Sequence, residues 1–218
     1  MRPAWRLVAV LIAVAVVVVA ITLYIGKFLH SPTPVAAGES TSRTANLTLA
    51  TTAAVGPAGA DHPWVSYLVR DHGKWIHSTV FKVPAHSLVH VTLYQYDGNS
   101  GLRNPFLSQV QGTLGDQMRV NGKPMRAIPP DDASHTFAVP QMGILVPLKG
   151  VPDSAKNPCD EWPCNQKQDH ETITFTFRTG KPGRYRWQCF VPCAAGFITG
   201  FGGPMSTIGY MDGFVQVT

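Results

Sequence analysis

The chain has 218 residues, 44% of them hydrophobic and 14% charged, the balance of a folded protein rather than a disordered one. Its formal net charge is +5, but Arg2, Arg6 and Lys27 flank a single apolar segment, and setting those three aside leaves +2 for the remainder. With no run of Lys and Arg interleaved with aromatic residues to follow a phosphate backbone, nucleic acid is excluded as a partner.

Residues 7–26 form twenty positions without a charge. At ~1.5 Å per residue a helix of that length spans the roughly 30 Å core of a bilayer. We therefore expect residues 1–30 to be a membrane anchor. Arg2 and Arg6 before it, against Lys27 after it, place the amino terminus in the cytoplasm and the rest outside the cell membrane, as a single-pass protein with an extracytoplasmic C-terminal domain. A cleaved signal peptide is the alternative, with Val35-Ala36-Ala37 offering small residues for cleavage.

Residues 31–61 are rich in Ala, Thr, Ser, Pro and Gly, with no aromatic residue and only Glu39, Arg43 and Asp61 charged. So little apolar surface predicts a flexible tether, and residues 62–218 are expected to fold without it. Asn46-Leu47-Thr48 matches a glycosylation sequon, which has meaning only in a eukaryotic secretory route.

Beyond His62 the pattern becomes short stretches of period-two alternation between clusters of Gly, Pro, Asn and Asp. In residues 172–178, TITFTFR, the apolar side chains fall on one face and the polar ones on the other. Residues 75–83, 86–96, 135–139, 143–148, 184–189 and 213–217 also read as strands, with no convincing amphipathic helix between them. About seven short strands predict an all-β fold: an antiparallel β-sandwich with Greek-key connections behind one N-terminal transmembrane helix.

All four cysteines follow the anchor, as two close pairs. Cys159 and Cys164 bracket a polar insertion and are expected to form a structural disulfide, which an oxidising compartment permits. Metal binding by that pair would need a further His or Cys nearby, and His170 is the one candidate. Cys189 ends a predicted strand, and Cys193 begins a Gly-rich loop that returns as the final strand.

Cys189-Phe190-Val191-Pro192-Cys193, then Gly203-Pro204-Met205, then Met211 leading into residues 212–217, resemble the carboxyl end of a cupredoxin. They look most like the dinuclear copper domain of cytochrome c oxidase subunit II, in which Cys-x3-Cys is followed by His and Met and a closing strand. Ser134-His135-Thr136-Phe137 is similar to the segment carrying that family's first histidine ligand. The likeness covers most of residues 131–218, while residues 62–130 match only in being β-rich. The family usually has two transmembrane segments, and this chain has one. What the resemblance implies is a cupredoxin-like domain over residues 62–218 with copper as its cofactor.

The sequence departs from that family at the second histidine. Phe197 stands four residues after Cys193, Ile208 stands three before Met211, and no histidine follows His170. A dinuclear site would need His62, His72, His77, His86, His90 or His170 to fill the vacancy, so the expected centre is mononuclear: His135, Cys189 and Cys193, with Met211 or Met205. Thiolate, imidazole and thioether together favour copper over harder ions. Against this stand a second disulfide between Cys189 and Cys193, His135 as a hydrogen-bonded core residue, and Met205 and Met211 as ordinary packing residues. His86 and His90 share a strand face and are expected to be solvated or satisfied in the core rather than to form a second metal site.

Three functions remain open. The first is electron transfer at the outer membrane face with a respiratory complex or redox carrier protein, and the second is a copper carrier that loads an oxidase. The third is a metal-free sandwich with a structural or interaction role. Nothing resembles a Ser/His/Asp set, paired carboxylates or a phosphate-cradling loop, so catalysis by this chain alone is not expected.

Overall fold

The computed structural model describes residues 3–28, 32–41, 43–55, 64–193 and 203–218, and the chain divides into two units between residues 31 and 32. The first unit is a helix, α1 (Pro3–Phe28), whose stretch Trp5–Ile25 is long and apolar enough to cross a membrane. Its Leu, Val and Ile side chains are exposed along the whole length, as lipid contact would require. The Thr22 hydroxyl is satisfied within the helix by donating to Val18 O at 2.8 Å.

The second unit contains β1 (Val35–Ala36), β2 (Gly38–Thr41), β3 (Thr44–Val55), β4 (Trp64–Asp71), β5 (Lys74–Ile76), β6 (Val80–Val83) and β7 (Leu88–Gln95). It continues with β8 (Met118–Val120), β9 (Lys123–Met125), β10 (Ala133–Val139), β11 (Ile144–Lys149), β12 (Glu171–Arg178), β13 (Gly183–Gln188) and β14 (Asp212–Val217). One sheet runs in the order β1-β6-β14-β13-β10-β11, and the other β5-β4-β3-β7-β12-β8-β9, with β2 against β3. This is the expected two-sheet sandwich, and the chain crosses between sheets repeatedly. Most ladders are antiparallel, but β3 with β7, β6 with β14 and β1 with β6 are parallel. The expected strand at 75–83 is two strands, β5 and β6, in different sheets.

The tether expected over residues 31–61 is corrected by β3. This strand lies between β4 and β7 in the middle of the second sheet, in register from Thr44↔Leu88 to Thr51↔Gln95, and buries Ala45, Leu47 and Leu49. Small residues suffice there because large ones arrive from both neighbours: Val69 and Leu93 flank Leu49. Ser78 Oγ donates to Thr33 O at 2.7 Å, and β1 buries Val35 against β6. A chain starting at residue 62 therefore lacks three strands, and its expected independent folding does not follow. Residues 56–61 of the former tether, and His62, lie outside the described residues.

The core between the sheets is aromatic. Trp187 stacks on Phe81 and Phe137 at 5.5 and 5.7 Å between centroids, and Tyr67 lies 4.5 Å from it. The indole N–H donates to Thr79 O at 2.9 Å, so this large ring is buried without an orphaned donor. Gly213 is required beside it, because a Cβ there would sit 1.9 Å from Thr79 O. A second, smaller cluster lies on the opposite face of the second sheet, where Ala50, Val55, Leu68 and Tyr96 pack with Cys159, Cys164 and Trp162 of the insertion after β11.

Candidate metal centre

The strand β10 carries His135, and the backbone just before it is irregular. Ala133 pairs with Lys149 and His135 with Leu148, so Ser134 is an extra, unpaired residue, a bulge of the kind that re-aims a side chain. His135 then shares its period-two face with Phe137 and Val139, toward the core, and is 3% exposed. Cys189 follows β13 directly. Its N–H donates to Met211 O at 2.9 Å, which continues the β13·β14 ladder by one residue and fixes the position of the sulfur. The chain turns back through Pro192 and brings Cys193 to the same spot.

His135, Cys189 and Cys193 place three donor atoms within 4.8 Å of one another, all buried, and they form the one such group of three or more His, Cys, Asp or Glu among the described residues. The His135 Nδ1 is 3.0 Å from Cys193 Sγ and 3.8 Å from Cys189 Sγ, and the two sulfurs are 2.9 Å apart. Both cysteines are free thiols rather than the second disulfide that the sequence left open. The sulfurs are in direct contact, so an ion held by both would have to part them. With that adjustment the donor set fits a soft metal: two sulfurs, one imidazole and no carboxylate among the converging atoms.

Charge is arranged to match. Burial alone would disfavour imidazolium, but the Asp97 carboxylate and the Cys189 thiolate outweigh it and raise the His135 pKa to about 9. For Cys189 burial opposes ionisation, yet the hydrogen bond from Cys193, the facing imidazolium and the Thr136 N–H hold its pKa well below the ordinary thiol value. Cys193 is pushed in the opposite direction by burial and by the adjacent thiolate. These directions favour a Cys189 thiolate facing a His135 imidazolium, with the remaining proton on Cys193, in the metal-free centre.

Two neighbours of the triad escaped sequence reasoning. Asp97, two residues beyond β7, accepts from His135 Nε2 at 2.9 Å through Oδ2. Tyr67 donates to Thr136 O at 3.0 Å, and burial followed by the nearby sulfur charges raises its pKa well above the ordinary value. Asp97-Gly98 reads as an ordinary turn in sequence, and no local signal ties it to a histidine 38 positions away. Tyr67 sits on the inner face of a strand that the sequence did not reveal.

Met211 is fully buried in the core, next in chain to Asp212, whose carboxylate is bonded by Arg186. Met205 is half-buried, and its carbonyl accepts from Gln188 Nε2 at 2.7 Å. Both methionines are therefore tied by backbone contacts to the segment carrying Cys189. Phe197 lies outside the described residues. None of His72, His77, His86, His90 and His170 joins the triad. His90 bonds Thr176 Oγ1, and His170 packs against Tyr94 and Tyr96 beside the second cluster. His135 and Cys193 also line an open cleft of about 390 Å³ with Trp64, Val65, Asp97 and Pro192.

No protein-family model matches the chain, and no curated protein matches it. Solved structures do. A histidine-to-methionine variant of rusticyanin is similar over 87% of this chain and 85% of its own, at 20% identity and a TM-score of 0.36. Rusticyanin from Thiobacillus ferrooxidans is similar over 85% of this chain and 82% of its own, at 18% identity and a TM-score of 0.32. A multicopper oxidase is similar over 83% of this chain and 45% of its own, at 12% identity and a TM-score of 0.31.

Proposed function

We propose that the chain is a copper-binding protein of the cupredoxin type, held at the outer face of a membrane by α1, that passes electrons to or from a respiratory complex or a soluble redox carrier. The observation that carries this reading is the convergence of His135 Nδ1 and two free cysteine sulfurs at one buried point. Copper bound there would take up and release one electron. The protein's part is to hold the donors still: β10 and β13 lie in one sheet, Cys189 is fastened to Met211 O and Thr136 N–H, and the ring of His135 is fastened to Asp97. Donors held in this way move little between the two oxidation states. The likeness of Cys-x3-Cys and Met211 to the copper domain of cytochrome c oxidase subunit II supports the respiratory assignment, with a single imidazole in place of that family's two.

A second reading, a Cu(I) carrier for oxidase assembly, is favoured by the same composition. Two sulfurs with one imidazole suit Cu(I), and Cys193 and His135 border an open cleft. Metal content, thiol count and visible absorption of the full chain in detergent separate the readings. An electron-transfer centre retains copper, titrates two thiols after metal removal and absorbs strongly when oxidised. A carrier holds colourless Cu(I) and yields it to an acceptor. Two disulfides with no retained copper, unchanged by reduction and reloading, would defeat both.

A further inference from the structure

We propose that Asp97 is a positioning residue that dictates which nitrogen of His135 is presented to the metal. The inference rests on the reading of His135 as a ligand. The two ring nitrogens face opposite ways: Nε2 lies 2.9 Å from Asp97 Oδ2, and Nδ1 lies 3.0 Å from Cys193 Sγ. An ionised carboxylate only accepts, so the proton on Nε2 is fixed by its partner, and Nδ1 is the nitrogen left to donate a lone pair. A lone imidazole buried in this core would be free to adopt either tautomer and to turn about its ring axis. With Asp97 present, one orientation and one tautomer are selected.

Asp97 is itself held from several sides. Its Oδ1 accepts from Gly98 N at 2.8 Å, and its carbonyl accepts from Val151 N at 2.9 Å. On the other flank, Tyr96 N donates to Thr51 O at 3.0 Å, and the Tyr96 ring is buried in the cluster that contains the Cys159–Cys164 disulfide. The segment after Asp97 lies directly on Gly150, where a Cβ would come 2.5 Å from Asn99 Oδ1 and 2.7 Å from both Asn99 N and Gly98 C. The carboxylate is therefore placed by backbone that leads away from the triad, into the insertion, and is in position before any metal arrives.

The test uses the full chain in detergent, with copper competed against a chelator and with ¹⁵N-labelled histidine. Asp97→Ala should weaken copper binding by about 10–100-fold, the range seen when a ligand's supporting hydrogen bond is removed. Asp97→Asn keeps an acceptor for Nε2–H and should recover part of that loss. Gly150→Ala leaves every polar group in place but pushes the 98–99 backbone, and should weaken binding in the same direction. In the wild type, metal-free or loaded with Cu(I), His135 should show a slowly exchanging Nε2–H resonance, which Asp97→Ala abolishes. Copper affinity within twofold of wild type in Asp97→Ala, with that resonance retained, would overturn the proposal. If the wild type takes up no copper, the ligand reading fails. The resonance in the metal-free chain then still decides whether Asp97 fixes the ring.

Discussion

The chain carries two pairs of buried cysteines at nearly the same spacing, and they differ in bonding and in what surrounds them. Cys159 and Cys164 are bonded, with an S–S distance of 1.98 Å, in a lobe outside the sandwich among Tyr96, Trp75 and Trp162, with no imidazole or cation at bonding distance among the described contacts. Cys189 and Cys193 are unbonded cysteines inside the sandwich, their sulfurs 2.9 Å apart, facing an imidazole that is backed by a carboxylate. Spacing alone would assign both pairs the same chemistry. The neighbours assign it: an apolar lobe without a larger core gains from a covalent staple, whereas a thiolate beside an imidazolium is poised as a ligand.

The comparison is broken most severely by exchanging the roles experimentally. Cys189→Ser removes the ionised sulfur, and we expect the chain to stop retaining copper through purification. Its fold should persist, because Trp187 and the β13·β14 ladder are untouched. Cys159→Ser with Cys164→Ser should retain full copper occupancy while losing about 2 kcal/mol of stability, the loop-closure figure for so short a loop. Metal analysis and chemical denaturation on the same two samples check this. Copper lost from the second variant with its fold intact would move the site to the insertion.

The contrast between the pairs also marks how far the sequence could be read. Both pairs and β12 were visible because their signals are local: a close Cys spacing, and uninterrupted alternation from Thr172 to Phe177. His135 was singled out only by the resemblance of residues 134–137 to a ligand-bearing segment. The strand β3 was not visible, since Ala45, Leu47 and Leu49 alternate with Thr44, Asn46, Thr48 and Ala50, a composition that matches a linker; only its place between β4 and β7 makes so little apolar surface sufficient. Asp97 was hidden for a related reason, because its meaning comes from a partner 38 residues away. The membrane-spanning reading of α1 was legible from length and composition, and these remain its support.

A smaller effect sharpens the comparison through pH. With Cys189 already ionised, copper uptake at neutral pH must displace the proton of Cys193 and one proton of the His135 imidazolium, whose pKa is raised to about 9. Both pKa values lie above the working range, so both protons are bound there and must leave. Apparent affinity should therefore fall as pH falls, by about 100-fold per unit for two protons, between roughly pH 6 and 8. Two ordinary thiols with an ordinary histidine would instead steepen toward three protons below roughly pH 6.5. Proton release measured by calorimetry in buffers of different ionisation enthalpy distinguishes the two. A release near three at pH 6 would mean that the thiolate–imidazolium pair does not form in the metal-free chain.

The smallest expected effect concerns the methionines, where the sequence offered Met211 or Met205 without choosing. Cys189 is tied to Met211 by a backbone bond, Cys189 N to Met211 O at 2.9 Å, and Met211 is fully buried beside the Arg186–Asp212 pair that fixes the start of β14. Met205 is only half-buried and is reached through the longer Gln188 side chain. A thioether whose backbone is locked to Cys189 is the better placed to serve as a weak additional donor to a metal held there. Leucine nearly conserves the volume of methionine, so neither substitution should cost more than about 1.5 kcal/mol of stability or displace the three stronger donors. Met211→Leu should raise the reduction potential, because losing even a weak donor destabilises Cu(II) more than Cu(I), while Met205→Leu should leave it unchanged. Potentiometric titration of the two variants beside the wild type reads the difference directly. A shift in Met205→Leu with none in Met211→Leu would reverse the choice, and no shift in either would leave His135, Cys189 and Cys193 as the whole ligand set.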